Sequence, residues 1–416
     1  MSILSPSSAE VVRATLPAVQ AHGVQITTTF YAAMLSAHPE LLRTFNAANQ
    51  ASGEQQQALA MSVVAYAEHL LAQDGDDAGP GGDVDFDRVM ARIAHKHAAL
   101  DIRPEQYLVV GRHLTEAVGE VLGDAVTAEV ARAWDEVYWL FAVQLVAAEA
   151  RLYQGAGVDP EDPWREWVVR AKEASTEEVT SFVLTPADGD AVPDFSPGQY
   201  VSVVVDLPDG RRQPRQYTLS RGPGRDSLRI SVRRVAAHDG APEGAVSTYL
   251  HDDVREGDAL LLSEPFGEVV LDTSTAPLVL ASAGVGITPM AAMLDTVARR
   301  TPDRQVVLVH ADRSRDVHPL REEVDALSAQ LPRAEQHVWY ERPGADPVTG
   351  GGAVPREGFV DMADVAVPDG AVAYVCGPLP FMREVRAGLL RQGVPAERIH
   401  YEVFGPDLWA ATGSAG

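Results

Sequence analysis

The feature that most constrains the fold is a double change of hydrophobic period along the 416 residues. From Ser8 to Tyr153 the apolar residues recur three and four apart, as in Leu59, Val63, Tyr66 and Leu70 or Trp134, Tyr138, Phe141 and Leu145. That is the spacing of one face of an α-helix. From Trp167 onward the pattern shortens to alternating or β-branched runs such as Tyr200 to Val205, punctuated by Pro186-Ala187-Asp188-Gly189, Ser196-Pro197-Gly198 and Leu207-Pro208-Asp209-Gly210. These are strands divided by turn chemistry. After Pro277, buried strands alternate with helical stretches. No single core satisfies all three patterns, so the chain is expected to be multidomain: an all-α domain at 1–152, a linker at 153–163, a small antiparallel β-barrel at 164–271 and an α/β parallel-sheet domain at 272–416.

Composition narrows the partners. Hydrophobic residues make up 46% of the chain, enough for several cores. A formal net charge of -25 argues against nucleic acid or an anionic membrane, since both need a basic footprint. Met1 to Val12 does not read as a secretory signal, and no apolar run approaches the ~20 residues of a membrane span. A cytoplasmic monomer without stable membrane insertion is expected. Cys376 is the only cysteine, so an intrachain disulfide and a thiolate metal cluster are both excluded.

Three polar residues stand where the helical pattern expects apolar ones. Phe86, Met90, Ile93 and His97 form one stripe; Tyr107 lies with Val110 and Leu114; Glu149 continues the stripe of Trp134, Tyr138, Phe141 and Leu145. A buried carboxylate is costly without partners, so the three are expected to meet. A histidine that gives one ring nitrogen to a carboxylate becomes a stronger metal ligand through the other. For any one of these residues alone, a hydrogen-bonded core side chain is the competing reading. The helix count, Phe45 after Pro39-Glu40-Leu41-Leu42, and the run Ile93-Ala94-His95-Lys96-His97 resemble the globin domain of flavohaemoglobins. The resemblance implies haem b with His97 as the iron ligand, and Tyr107 and Glu149 around it pushing electron density toward iron. It also implies Tyr31 and Gln55 as hydrogen-bond donors to bound O2, with Phe45 and Leu59 lining the pocket. The run Asp74 to Asp83 is longer than usual for that family and is expected to be a solvated loop.

In the strand-rich segment, Arg215-Gln216-Tyr217-Thr218 offers a cation, a ring and a hydroxyl in one short run. With Pro197-Gly198-Gln199-Tyr200 before it, the run resembles the FAD site of the ferredoxin reductase superfamily. That implies Arg215 at the pyrophosphate, Tyr217 against the flavin and Thr218 near its reactive nitrogen, with Gln216 and Tyr200 in the same site. Gly244-Ala245-Val246-Ser247-Thr248 then supplies a glycine and a helix start, whose N–H groups suit phosphate; Gly244, Val246 and Ser247 are the site residues implied. The loop Ala236 to Glu243 is longer than the family's.

The last segment opens with the strand Pro277 to Ser282 and the turn Gly284-Val285-Gly286-Ile287-Thr288-Pro289. Its glycines let a dinucleotide phosphate approach the backbone, Thr288 is expected to cap the helix that follows, and Pro289 suits its first turn. Val306 to Ala311 and Val372 to Cys376 are further strands, each followed by a helix, which implies a parallel sheet with ligand at its carboxyl edge. Cys376-Gly377-Pro378 matches the family's stretch beside the nicotinamide, although Cys376 also reads as a small buried hydrophobe. The resemblance places Phe404 over the flavin, while the tail from Asp407 departs from the family and is expected to fray. Arg313 and Arg315 follow the second strand, where a 2′-phosphate would lie, but read equally well as solvated surface arginines, which leaves NADH against NADPH open.

The resemblance covers nearly the whole chain and implies a nitric oxide dioxygenase: NAD(P)H reduces FAD, FAD reduces haem, and NO and O2 become nitrate. A reductase of hydroperoxides and an oxygen-binding or sensing globin with a built-in reductase are the alternatives.

Overall fold

A computed structural model describes residues 3–43, 53–72, 86–207, 210–237, 242–342 and 354–405. The chain divides into two compact units, the first Met1–Pro163 with Arg211–Gln213 and Gly405–Gly416, the second Trp164–Gly210 with Pro214–Phe404.

The first unit is helical: α1 (Pro6–Ala37), α2 (Glu54–Ala72), α3 (Phe86–Ala99), α4 (Pro104–Leu122) and α5 (Ala128–Ala156). Local chemistry explains the ends. Ser5 caps α1 by accepting the Ser8 N–H with Pro6 opening the helix, and Thr127 caps α5 through the Val130 N–H at 3.3 Å. Pro104 opens α4 as its position implies, while the Gln106 side chain accepts the Arg103 N–H at 2.8 Å. Helix α1 continues through Pro17 despite the lost hydrogen bond, because its face of Val12, Val19, Ile26, Phe30 and Met34 is buried. It packs against α2, α4 and α5.

The helices enclose two apolar clusters. One contains Tyr66, Phe86, Tyr107, Phe141 and Leu145; the other contains Phe30, Tyr31, Met34 and Leu114 with Leu59 and Val63 at its edge. The Tyr138 ring borders both.

The second unit contains two six-stranded sheets. The first has the order β4-β3-β6-β1-β2-β5, with β1 Trp164–Ala174, β2 Val179–Pro186, β3 Tyr200–Asp206, β4 Arg212–Thr218, β5 Leu228–Arg233 and β6 Ala259–Ser263. The pairings β1–β2, β1–β6, β2–β5 and β3–β6 are antiparallel. An isolated bridge from Leu219 to Ile230 brings the two outer strands together, curling the sheet round a core of Trp167, Phe182, Leu184, Val201, Ile230 and Leu262. Helix α6 (Ala245–Asp252) adds Val246 and Leu250 to that core.

The second sheet has the order β10-β9-β8-β7-β11-β12, with β7 Leu278–Ala283, β8 Val306–Asp312, β9 Ala334–Tyr340, β10 Arg356–Glu357, β11 Val372–Cys376 and β12 Ile399–Glu402. All of its pairings are parallel. The helices α7 (Ile287–Arg300), α8 (Arg321–Ser328) and α9 (Leu379–Arg391) connect its strands. Helix α7 is buried along most of its length, from Ile287 to Val297, which accounts for its nearly unbroken small and apolar sequence.

Barrel and parallel sheet are joined by polar contacts as well as apolar ones. Asp295 of α7 is 4% exposed; it accepts the Gly222 N–H at 2.9 Å and an Arg225 N–H at 2.9 Å, and Arg299 donates to it at 3.3 Å. Burial pushes the Asp295 carboxyl up, but the Arg225 hydrogen bond, the charges of Arg225 and Arg299 and the Gly222 N–H hold it below its usual value. Because the folded carboxyl is depressed, this contact stabilises the fold fully above the ordinary carboxylate range and loses that contribution as pH falls through the native value. Asp295→Asn should cost about 1–3 kcal/mol at neutral pH. It should also flatten the acid limb of a denaturant-midpoint against pH curve, and an unchanged acid limb would remove Asp295 from that role.

Candidate functional site

In the helical unit, His97, Tyr107 and Glu149 do meet. His97 stands in the last turn of α3, and its Nδ1 lies 2.8 Å from Glu149 Oε1 and 2.8 Å from the Tyr107 hydroxyl. Tyr107 donates to the same carboxylate oxygen at 2.6 Å. Glu149 is 3% exposed, so the pair of donors offsets the cost of taking a carboxylate out of water. Burial, followed by the neighbouring Glu149 charge, pushes the Tyr107 phenol well up, so it remains a donor. With Nδ1 committed to the carboxylate, Nε2 is the ring nitrogen left with a lone pair to offer. Tyr153 donates to the Ala98 carbonyl at 2.9 Å and ties α5 to the turn that follows His97.

Tyr31 belongs to the other apolar cluster. It is buried in α1, its ring 4.7 Å from Phe30, and its hydroxyl is hydrogen-bonded to the Gln55 side chain. Burial raises the phenol strongly and the Gln55 contact opposes this only in part, so the hydroxyl keeps its proton. Leu59, one turn after Gln55 on α2, lies against the same cluster. Phe45 and the run Asp74 to Asp83 lie outside the described residues.

In the barrel, β4 carries Arg215, Gln216 and Tyr217, each half-buried, and then the buried Thr218. Strand geometry puts Arg215 and Tyr217 on one face and Gln216 and Thr218 on the other. Burial pushes the Tyr217 phenol up, with the Arg215 charge opposing. Tyr200 is buried, and its backbone pairs in both directions with Phe266 at 2.8 and 2.9 Å. Gly244 stands at the N-cap of α6. Ser247 accepts the Val235 N–H at 3.1 Å and donates to the Gly244 carbonyl at 2.9 Å, so its hydroxyl pins the turn. What α6 offers a phosphate is the set of first-turn N–H groups, which lack partners within the helix. Val246 is buried in the barrel core, and residues 238–241 of the longer loop lie outside the described residues.

One residue of this site was not singled out from the sequence. Arg229, 4% exposed in β5, donates through Nε to Ser220 Oγ at 3.0 Å and through Nη2 to the Ser220 carbonyl at 2.6 Å; Nη1 reaches Glu323 at 2.6 Å. It fixes the end of the Arg215 to Ser220 run and couples it to α8. Alternation gave no signal for it: Arg229 shares with Ser231 and Arg233 the face opposite the core residues Leu228, Ile230 and Val232, so in the sequence it reads as a solvent-facing strand arginine.

In the parallel sheet, Gly284 to Gly286 form a 3-10 turn between β7 and α7. Gly284 has φ +54°, which favours glycine. A Cβ on Gly286 would lie 2.3 Å from the Cys376 carbonyl oxygen, so the turn meets the end of β11 backbone to backbone. Two expectations change here. Thr288 does not cap α7: the 3-10 turn starts the helix at Ile287 with Gly286 as the cap, and Thr288 donates to the Val285 carbonyl at 3.0 Å from inside the first turn, next to Pro289. Cys376 keeps its side chain in the sheet core at 0% exposure, where burial drives the thiol well above its usual value. Only its backbone and Gly377 reach the edge, and Pro378 then caps α9. Phe404 is half exposed, and the tail from Pro406 lies outside the described residues.

A carboxylate-held histidine in an all-α unit, followed by a flavin-type barrel and a parallel sheet with a glycine turn, defines an oxidoreductase that joins a globin to a flavin and nicotinamide reductase. The comparisons agree segment by segment. The globin family profile matches residues 28–145, the oxidoreductase FAD-binding domain 166–271 and the oxidoreductase NAD-binding domain 280–387. The chain is 45% identical to the flavohemoprotein of Bordetella pertussis over 97% of its own length and 99% of that relative. It is 43% identical to the flavohemoprotein of Rhizobium meliloti over 98% and 100%. It therefore belongs to the flavohaemoprotein family. Among solved structures, a flavohemoglobin from Malassezia yamatoensis with bound FAD and heme superposes at TM-score 0.81 with 31% identity, covering 97% of this chain and 100% of that one. The FAD/NAD-binding domain of nitric oxide dioxygenase from Vibrio cholerae matches at 0.54 with 41% identity, covering 58% of this chain and 99% of its own. Among the described residues no helix is long and apolar enough to cross a membrane.

The contact between the glycine turn and β11 leaves no room for a side chain. Gly286→Ala should slow flavin reduction by NADH at least about tenfold by displacing the bound coenzyme, while the flavin itself is retained because Arg215 to Thr218 are untouched. Anaerobic bleaching of the flavin absorbance measures this, and an unchanged rate would place the coenzyme elsewhere.

Proposed function

We propose that this chain is a nitric oxide dioxygenase, a cytoplasmic monomer that converts nitric oxide and O2 to nitrate with electrons from NAD(P)H. The observation that carries the reading is the His97–Tyr107–Glu149 triangle, with 2.8 Å from His97 Nδ1 to the carboxylate and 2.6 Å from the Tyr107 hydroxyl.

The residues fit the prosthetic groups. A histidine whose Nδ1 is held by a buried carboxylate would hold haem iron through Nε2, and the partial negative charge it acquires would make it a stronger electron donor. Tyr107 keeps Glu149 oriented by donating to the oxygen that His97 uses. Tyr31, protonated and bonded to Gln55, supplies hydrogen-bond donors in the other apolar cluster, where Leu59 helps to exclude water. Arg215, Tyr217, Thr218 and the first turn of α6 hold FAD, with Gln216, Tyr200 and Phe404 as further contacts. The turn Gly284 to Pro289, with Gly377 and Pro378, receives the nicotinamide dinucleotide. Haem and FAD, when bound, supply one-electron redox chemistry and the conversion of a two-electron donor into single electrons.

Two features favour turnover over reversible oxygen storage. The carboxylate on His97 strengthens its donation beyond what storage needs. The same polypeptide carries a complete reductase, which storage does not consume. Nitric oxide supplied aerobically with NADH to the full-length holoprotein should give close to one nitrate per nitric oxide. His97→Ala should abolish both nitrate and the haem Soret band while leaving NADH-dependent reduction of an artificial acceptor. Absence of nitrate from the unaltered protein would sink the assignment.

The distal role has its own test. Tyr31→Phe, which removes only the hydroxyl, should speed loss of O2 from the reduced protein at least about tenfold, the size expected for losing a hydrogen bond to a charged partner. An unchanged off-rate would take Tyr31 out of that role.

A further inference from the structure

Strand β8 lies beside β7, whose end carries the glycine turn. In doubly wound folds the residue at the end of this second strand meets the adenosine ribose of a dinucleotide, an acid serving a free 2′-hydroxyl and an arginine a 2′-phosphate. Here the strand ends in Asp312 and the next residue is Arg313, so the sequence contains both devices.

The structure shows which of them is engaged. Arg313 Nη2 lies 2.7 Å from each carboxylate oxygen of Glu178. Glu178 belongs to the barrel, in the turn between β1 and β2. The turn is itself held: the Glu178 carbonyl accepts the Arg234 N–H at 2.7 Å, Thr176 Oγ1 accepts the Glu178 N–H at 3.3 Å, and Ser175 Oγ accepts the Leu320 N–H at 2.8 Å. The acid is thus delivered by an anchored hairpin. Arg313 also sits in the field of Asp312 and Glu341. A cleft of about 500 Å³ that reaches Ser175 and Thr176 of the same turn is lined by four carboxylates, Glu173, Asp316, Glu322 and Glu323, and by the guanidiniums of Arg229, Arg315 and Arg321.

We propose that Glu178, a residue of the flavin barrel, sets the coenzyme choice of the neighbouring nucleotide domain. By holding Arg313 it engages the cation that directly follows β8 and places a negative charge beside it, so NADH is taken in preference to NADPH. The proposal rests on the reading above that this unit oxidises a nicotinamide dinucleotide. In this reading Glu178 is a positioning residue that acts through Arg313.

The test is anaerobic flavin reduction in the full-length holoprotein, with NADH or NADPH as the donor, read as loss of flavin absorbance and independent of nitric oxide chemistry. Unaltered protein should prefer NADH. Glu178→Gln should raise the efficiency of NADPH about tenfold, through a lower half-saturating concentration and not a higher limiting rate, and leave NADH within about twofold. Glu178→Asp, which keeps the charge, should stay close to the original ratio. Adding Arg313→Ala to Glu178→Gln should cancel the gain, with flavin content confirming that each variant is folded. Equal use of both coenzymes by the unaltered protein, a parallel change for both in Glu178→Gln, or a gain that survives loss of Arg313 would each overturn the proposal. Flavin that neither coenzyme reduces would overturn the coenzyme reading on which it rests.

Discussion

A carboxylate taken out of water inside a helical domain is the constraint on which the N-terminal unit turns. Glu149 lies at 3% exposure on a helix whose face otherwise carries Trp134, Tyr138, Phe141 and Leu145. It is tolerable there only because two donors converge on one of its oxygens. The same contacts that offset its burial also orient the imidazole of His97 and direct its free nitrogen. Stability and the orientation of the imidazole are therefore served by one set of hydrogen bonds, and neither can be altered without the other.

In the second unit, buried charge plays a different part. Arg229 and Asp295 are each nearly inaccessible, and each is satisfied by groups from both the barrel and the parallel sheet. Such pairs contribute little net stability over an apolar equivalent, but breaking one is costly because it leaves an unpaired charge behind. Their effect is to fix register. Arg229 holds Ser220, two residues beyond Thr218, while its other end grips α8. A hydride donor and acceptor must approach within about 3–3.5 Å. A site split between two folded layers gains from having both tied to the same guanidinium.

Much of this was legible in the sequence, and for a definite reason. Helical periodicity fixes which face a residue occupies, so three polar residues on apolar stripes could be matched to one another before any coordinates. Strand runs and turn residues likewise announced the barrel and the parallel sheet. What could not be read were partners set by tertiary distance. Glu323 lies 94 positions from Arg229 and Glu178 lies 135 from Arg313, separations at which no local pattern operates. Thr288 was misplaced for a subtler reason: a helix preceded by a 3-10 turn starts earlier than its capping signal suggests. Cys376 stayed ambiguous because a strand end presents side chain and backbone to different environments, and only the sheet neighbours show which of them faces the core.

The approach of Gly286 to the carbonyl of Cys376 makes unequal demands on the two positions. Contact is made by main-chain atoms, so as far as this contact goes residue 376 is constrained by the volume it fills in the sheet core, where a substitute must neither leave a cavity nor bury an unpaired hydroxyl. Residue 286 has no such freedom, since every alternative adds the atom that the contact excludes. In this contact it is the featureless glycine, and not the cysteine side chain opposite it, whose replacement the backbone geometry excludes.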